Sequence, residues 1–217
     1  MPIPRLRADD ATLLVIDLQE RLMPTILEGE TVVHHATLLV RMARTLGLPI
    51  VATEQYVKGL GHTVEPLRSE LADGAAIFEK TRFSGLVPEV LATLQQSGRG
   101  QVLVTGVEAH VCVLQTVLDL AAAGFVPFLA IDAISASRAG SIAPSIRRME
   151  HAGAVPTGVV SAMYEMLADA SHPAFKACLP LAKEVRNLAF DHGFSGGNLR
   201  GFLGGTGPRS PEADAAR

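Results

Sequence analysis

Tryptophan is absent from this sequence, tyrosine occurs only twice, and aromatic residues make up 5% of the chain. The hydrophobic share of 48% is carried instead by alanine, valine and leucine. Such side chains suit a buried parallel sheet covered by helices. An excess of charge is lacking too: 19 Lys and Arg stand against 22 Asp and Glu, a net charge of -3. That balance leaves no electrostatic case for nucleic acid or an anionic membrane as the main partner. No apolar run reaches the roughly 18 residues of a membrane helix, which excludes a helical membrane protein. Two cysteines, Cys112 and Cys178, could pair in principle. The stretch from Met1 to Asp10 is polar and broken by proline, without the apolar centre of a secretory signal. The expectation is therefore a cytoplasmic protein with reduced thiols. Internal repeats are missing as well.

What is present is a regular alternation. A chain of 217 residues suits one domain with a full core. Buried strands are predicted at Thr12–Asp17, Pro49–Glu54, Ala75–Lys80, Gln101–Val107, Val126–Ile131 and Ala154–Val160. Helical periodicity falls between them, at Thr31–Leu46, Val87–Gln96, His110–Ala123, Ser141–His151 and Val160–Ala168. Glycines close several of these helices, at Gly47, Gly98 and Gly124. The pattern predicts an α/β fold: three layers, α/β/α, around an open, mostly parallel, Rossmann-like sheet of about six strands. Residues 1–200 form the predicted domain, with a terminal helix and arm at Pro180–Asn198. Residues 201–217, rich in Gly, Pro, Ser, Ala and charge, are predicted to be a mobile tail.

In open parallel sheets ligands bind at the carboxyl ends of strands. Asp17, Lys80 and Cys112 all fall there. Cys112 lies in the first turn of a predicted helix, where free N–H groups and the helix dipole favour a thiolate and could hold an oxyanion. A buried structural cysteine is the alternative. Lys80 would lower the pKa of a neighbouring thiol, or else is a surface lysine at a strand terminus. Asp17 would serve as general base, or else as a helix cap or a salt-bridge partner of Lys80. Together at the ends of one sheet, the three point to nucleophilic chemistry.

Asp17-Leu18-Gln19, Phe78-Glu79-Lys80 and Gly106-Val107-Glu108-Ala109-His110-Val111-Cys112-Val113 resemble the signature segments of the isochorismatase-like cysteine hydrolases. The resemblance runs from about residue 10 to residue 200, in the family's order. Thr53-Glu54-Gln55-Tyr56-Val57-Lys58-Gly59-Leu60-Gly61 and Ser171-His172-Pro173-Ala174-Phe175-Lys176 are similar to the isochorismatase-domain-containing subgroup. The resemblance implies a triad of Asp17, Lys80 and Cys112. It also implies a cis peptide at Val107–Glu108, aiming the Glu108 N–H into an oxyanion hole beside that of Cys112. Gln19, Glu54, Gln55, Tyr56, Leu60, Phe83 and His110 are the expected pocket residues, Gln19 with a possible alternative role in fixing the Asp17 loop. Nicotinamidase-type relatives carry an Asp and several His for a divalent metal. Here the matching stretch holds only Glu54 and nearby His62, so neither metal nor other cofactor is expected. His34 and His35 are expected at the surface or an interface.

True isochorismatases cleave a vinyl ether without needing the cysteine, so Cys112 favours an amide, carbamoyl or related carbonyl substrate. The competing readings are a vinyl ether hydrolase and a non-catalytic binding protein on the same fold. A nitrilase-like enzyme fits less well, because its acid is Glu and its sheets stack in two layers. A dinucleotide-binding protein is disfavoured by the lack of a glycine-rich loop at Asp17-Leu18-Gln19-Glu20-Arg21. The expected partners are a small-molecule substrate and further copies of the chain, pairing through the arm from Ser171 to Leu203.

Overall fold

The computed structural model describes residues 4–186. Six parallel strands form one sheet in the order β3-β2-β1-β4-β5-β6. They are β1 (Ala11–Ile16), β2 (Ile50–Gln55), β3 (Ala76–Lys80), β4 (Gln101–Val107), β5 (Val126–Ser135) and β6 (Val155–Thr157). The long helices are α1 (Gly29–Thr45), α4 (Pro88–Gln96), α5 (Leu114–Ala122), α6 (Ala139–His151), α7 (Val159–Leu167) and α8 (Phe175–Glu184). Two short ones, α2 (Val57–Leu60) and α3 (Leu67–Leu71), interrupt the stretch between β2 and β3.

The uninterrupted apolar run of β1 has a direct physical cause. Leu13 and Val15 pack into the core under α1, α7 and α8, whereas Leu14 and Ile16 pack into the core under α4, α5 and α6. Alternate side chains leave opposite faces of a strand, and both faces here are covered. The three-layer α/β/α expectation is met.

Element boundaries depart from the sequence reading in informative places. β5 runs on to Ser135, past the predicted stop at Ile131, because its last residues pair with the end of β4, Ile134 with Gly106 and Ser135 with Val107, and on the way the Asp132 carboxylate accepts the Val159 N–H at 2.9 and 3.1 Å. A polar residue inside the strand thus serves the start of α7. β6 is correspondingly short, since the chain turns at Gly158 into that helix. The terminal helix lies earlier than predicted, at Phe175–Glu184; the remainder of the predicted arm and the tail at 201–217 fall outside the described residues.

His35 corrects a second expectation. It is fully buried, not at the surface. Its Nε2 accepts the Arg186 N–H at 3.0 Å, so its Nδ1 is the protonated nitrogen and donates to the Asp132 carbonyl at 2.6 Å. His34 sits beside it with Nε2 2.8 Å from the Glu184 carbonyl.

Candidate active site

The strand order reverses direction between β1 and β4, and at such a point the loops after neighbouring strands diverge and leave a crevice. Asp17 directly follows the last residue of β1, and β4 leads into the turn that carries Cys112. Close approach of these two strands requires Gly106. It has φ +153°, and a Cβ there would lie 2.5 Å from the Ile16 carbonyl oxygen and 2.6 Å from Ile16 Cβ.

Asp17 is buried and left-handed, with φ 56°. Its Oδ1 accepts the Thr53 hydroxyl at 2.8 Å, and its Oδ2 accepts from Lys80 Nζ at 2.7 Å. Lys80 reaches in from the end of the edge strand β3, over the end of β2. Its ammonium also donates to Gln55 Oε1 at 2.6 Å and to the carbonyls of Phe83 and Arg82 at 3.2 and 3.3 Å. The Cys112 thiol, itself buried, lies beside Asp17 and Lys80, near enough to feel the charge of both.

Burial raises the Asp17 carboxyl above the ordinary carboxylate range, against the opposing pull of Lys80. Burial also pushes the Cys112 thiol up to about 12, the Asp17 charge acting the same way and Lys80 the opposite way. Burial and the Asp17 charge both favour a neutral thiol at Cys112 over the preformed thiolate that the helix start suggested. Once Asp17 takes the proton, its repulsion vanishes and the sulfur anion faces Lys80 alone.

The nucleophile turn differs from expectation in two further respects. Ala109–Val113 winds as a wide π-type turn before α5 begins. Among the described residues the cis peptide is Glu65–Pro66, so Val107–Glu108 is trans, contrary to what the family resemblance implied. The reversal is made instead by Glu108 in the left-handed region, at φ 57° and ψ 64°. Its side chain leaves towards the loop after β5, where Oε2 accepts the Ser137 N–H at 3.3 Å and lies 3.2 Å from His110 Nδ1.

Other expected pocket residues divide into supports and rim. Gln19 is buried and wholly used as a support. Its amide donates to the Gln55 and Gly61 carbonyls at 2.9 and 2.6 Å and accepts the Gln55 N–H at 2.7 Å. Glu54 is buried too, accepting the Thr63 N–H and hydroxyl at 2.7 and 2.8 Å and lying 2.9 Å from His62 Nδ1. Burial alone would raise its pKa, but these bonds outweigh it and hold the carboxyl below the usual range. Gln55 touches Lys80 directly and donates from Nε2 to the Thr81 carbonyl at 2.9 Å.

Tyr56 is 56% exposed and, with Val57, Lys58, Glu79, Lys80 and Thr81, lines a cleft of about 330 Å³. Leu60 is half-buried in α2 nearby, its carbonyl accepting the Arg21 N–H. Phe83, likewise 56% exposed, borders a second cleft of about 370 Å³ with Arg82, Ser84 and Gln115. His110 is half-buried. Sequence reasoning missed Thr53 and Thr116; the only signal for Thr53 was a hydroxyl at the end of an apolar strand.

A family model described as the isochorismatase domain matches residues 11–160. The chain belongs to the isochorismatase-like hydrolase family. It is 35% identical over 183 residues to isochorismatase family protein 1B of Dictyostelium discoideum, covering 82% of this chain and 89% of that one. Identity to the secreted isochorismatase effector Isc1 of Phytophthora sojae is 37%, over 89% of this chain and 93% of the relative. Among solved structures, the MAR1 ribonuclease of Caenorhabditis elegans superposes with a TM-score of 0.82 at 35% identity, over 89% of this chain and 98% of that one. The isochorismatase-like sheet carries Asp17, Lys80 and Cys112 at its switch point, among residues that hold each in place.

Proposed function

We propose that this isochorismatase-like protein is a metal-independent cysteine hydrolase that cleaves a small amide-like or carbamoyl-type substrate through a thioester at Cys112. The observation that carries this reading is the buried Asp17–Lys80 pair with the Cys112 thiol beside it. In the first half-reaction Cys112 sulfur attacks the carbonyl carbon while Asp17 takes the thiol proton. The tetrahedral oxyanion accepts from backbone N–H groups of the nucleophile turn, that of Cys112 among them. Collapse breaks the C–N bond, and the amine leaves with the proton held by Asp17. Water then attacks the thioester, Asp17 takes its proton, and the regenerated thiol recovers it. Lys80 keeps both anions in place and balances whichever one is charged. Gln55 and the loop carbonyls orient Lys80.

Tyr56 shares a cleft with Lys80, and the Phe83 carbonyl holds the lysine, so these exposed aromatic residues near it suit a small substrate with an apolar part. The chemistry draws on side chains alone and uses no cofactor. It needs a reduced thiol, as in the cytoplasm; the relative from Phytophthora sojae is nonetheless named as secreted.

A hydrolysis screen over small amides, carbamoyl compounds and vinyl ethers, run beside Cys112→Ala, tests the reading. Turnover of an amide or carbamoyl compound that vanishes in the variant is the expected result. Full activity of Cys112→Ala on a vinyl ether would move the protein to isochorismatase-type chemistry, and no turnover by either form would favour a binding role. The screen includes single-stranded RNA, because the 35% identical structure is named a ribonuclease. RNA cleavage that needs Cys112 would replace the carbonyl substrate with a phosphodiester.

A further inference from the structure

Thr116 follows Cys112 by one helical turn, on α5, and is fully buried. Its hydroxyl donates to the Cys112 carbonyl at 2.6 Å and accepts the Gly85 N–H at 2.6 Å. The first bond is the common back-bond of a helical threonine. The second crosses to another part of the molecule, the loop after β3. That loop supplies the Arg82 and Phe83 carbonyls to the Lys80 ammonium. Gly85 is pressed against this junction: a Cβ there would stand 3.1 Å from Thr116 Oγ1 and 3.5 Å from Thr53 Cγ2. Thr53 is the donor to Asp17. One buried hydroxyl therefore joins the turn that carries the nucleophile to the loop that holds the lysine.

We infer that Thr116 is a positioning residue, whose hydroxyl clamps the lysine loop to the nucleophile turn and so sets the separation between the Cys112 sulfur and the Lys80 ammonium. The inference rests on the reading of Cys112 as a nucleophile and adds what governs its reactivity. The attraction between thiolate and ammonium falls with distance, and a hydrogen-bonded loop cannot drift as an unanchored one can. Valine at this position keeps the branched shape but leaves the buried Gly85 N–H without its acceptor. Serine keeps the acceptor and the donor. A purely steric role would tolerate valine better than serine; the clamp reverses that order.

The test is the rate of Cys112 alkylation by iodoacetamide across the neutral range, read at the Cys112 peptide by mass spectrometry so that Cys178 does not contribute. Thr116→Val is expected to alkylate about tenfold more slowly than wild type at neutral pH, with its profile displaced by about one unit to the alkaline side. Thr116→Ser is expected to stay within about twofold of wild type. A folded Thr116→Val whose profile superposes on wild type overturns the inference, as does a serine variant slower than the valine one. Near-ultraviolet circular dichroism checks folding. Should Thr116→Val not fold, Gly85→Ala decides: it leaves the hydroxyl in place and presses a methyl on it, so it is expected to slow alkylation, and an unchanged profile overturns the clamp. Hydrolysis by the wild type that survives Cys112→Ala would defeat the nucleophile reading itself, a result separate from anything the Thr116 variants show.

Discussion

Asp17 and Lys80 are both inaccessible to solvent at their side chains, and each is the other's main counter-charge. Removing one member of such a pair leaves the other buried and uncompensated. Lys80→Ala is therefore expected to lower stability by about 3–5 kcal/mol at neutral pH, measured by urea unfolding. The loss should shrink as pH falls, because a protonated Asp17 no longer needs the ammonium. Activity has the opposite sign. Burial raises the Asp17 carboxyl, and the neutral form is the one favoured by folding, yet the general base must be ionised. The kcat/KM profile is expected to lose activity as pH falls through a midpoint above the ordinary carboxylate range, and Asp17→Asn to abolish that limb together with turnover. These three residues were legible in the sequence because each is a reactive side chain closing an apolar strand or opening a helix. Their protonation states were not, since burial and the Asp17–Cys112 contact arise only on folding.

Among elements, β4 and the turn that follows it show how backbone geometry builds the site. Gly106→Ala would drive a methyl into Ile16 and demand an unfavourable φ. A destabilisation of roughly 2–4 kcal/mol is expected by chemical denaturation, with Cys112 reactivity falling in parallel. The stretch between β2 and β3 relies on Glu54 in a comparable way. Its folded-state pKa is depressed, so its contribution is present above the ordinary carboxylate range and disappears as pH falls through the folded value. Glu54→Ala, which strands the buried Thr63 N–H, is expected to cost about 1–3 kcal/mol at neutral pH. The gap to wild type should close in acid. Strand β4 was read to its last residue, because a buried parallel strand is a continuous apolar run. The π-type turn after it and the trans bond at Val107–Glu108 carry no such pattern. The Glu108 side chain there meets Ser137, a residue of a distant loop that local sequence does not place beside it.

At the scale of the molecule, His35 closes the described chain by holding β5 and Arg186 at once, across 151 positions of sequence. Replacing it with alanine removes both hydrogen bonds of a buried bridge. His35→Ala is expected to lose about 1–3 kcal/mol and to expose α8 to limited proteolysis faster than wild type, measured with native-state trypsin. The histidine looked like a surface residue on a helix because its neighbours in sequence are mixed in polarity. Its burial follows from which face of α1 meets the end of β5. We propose in addition that the chain assembles into a homo-oligomer, tested by analytical ultracentrifugation of the full chain against one ending at Leu179; unchanged assembly by a folded truncated chain would remove the arm beyond Leu179 from any pairing role.

By itself the sequence determined the class of fold, the order of strands and helices, and the three reactive residues at strand ends. Those follow from local hydrophobic period and from the chemical types of a few side chains, which need no knowledge of distant contacts. Tertiary structure decided everything that depends on two segments meeting: that Lys80 crosses over β2 to Asp17, that Gln19 and Glu54 brace loops and leave the rim to Tyr56 and Phe83, and that Thr116 joins Gly85 to Cys112. Burial and long-range hydrogen bonds set those roles and the charge on the thiol, and neither exists until the chain has folded.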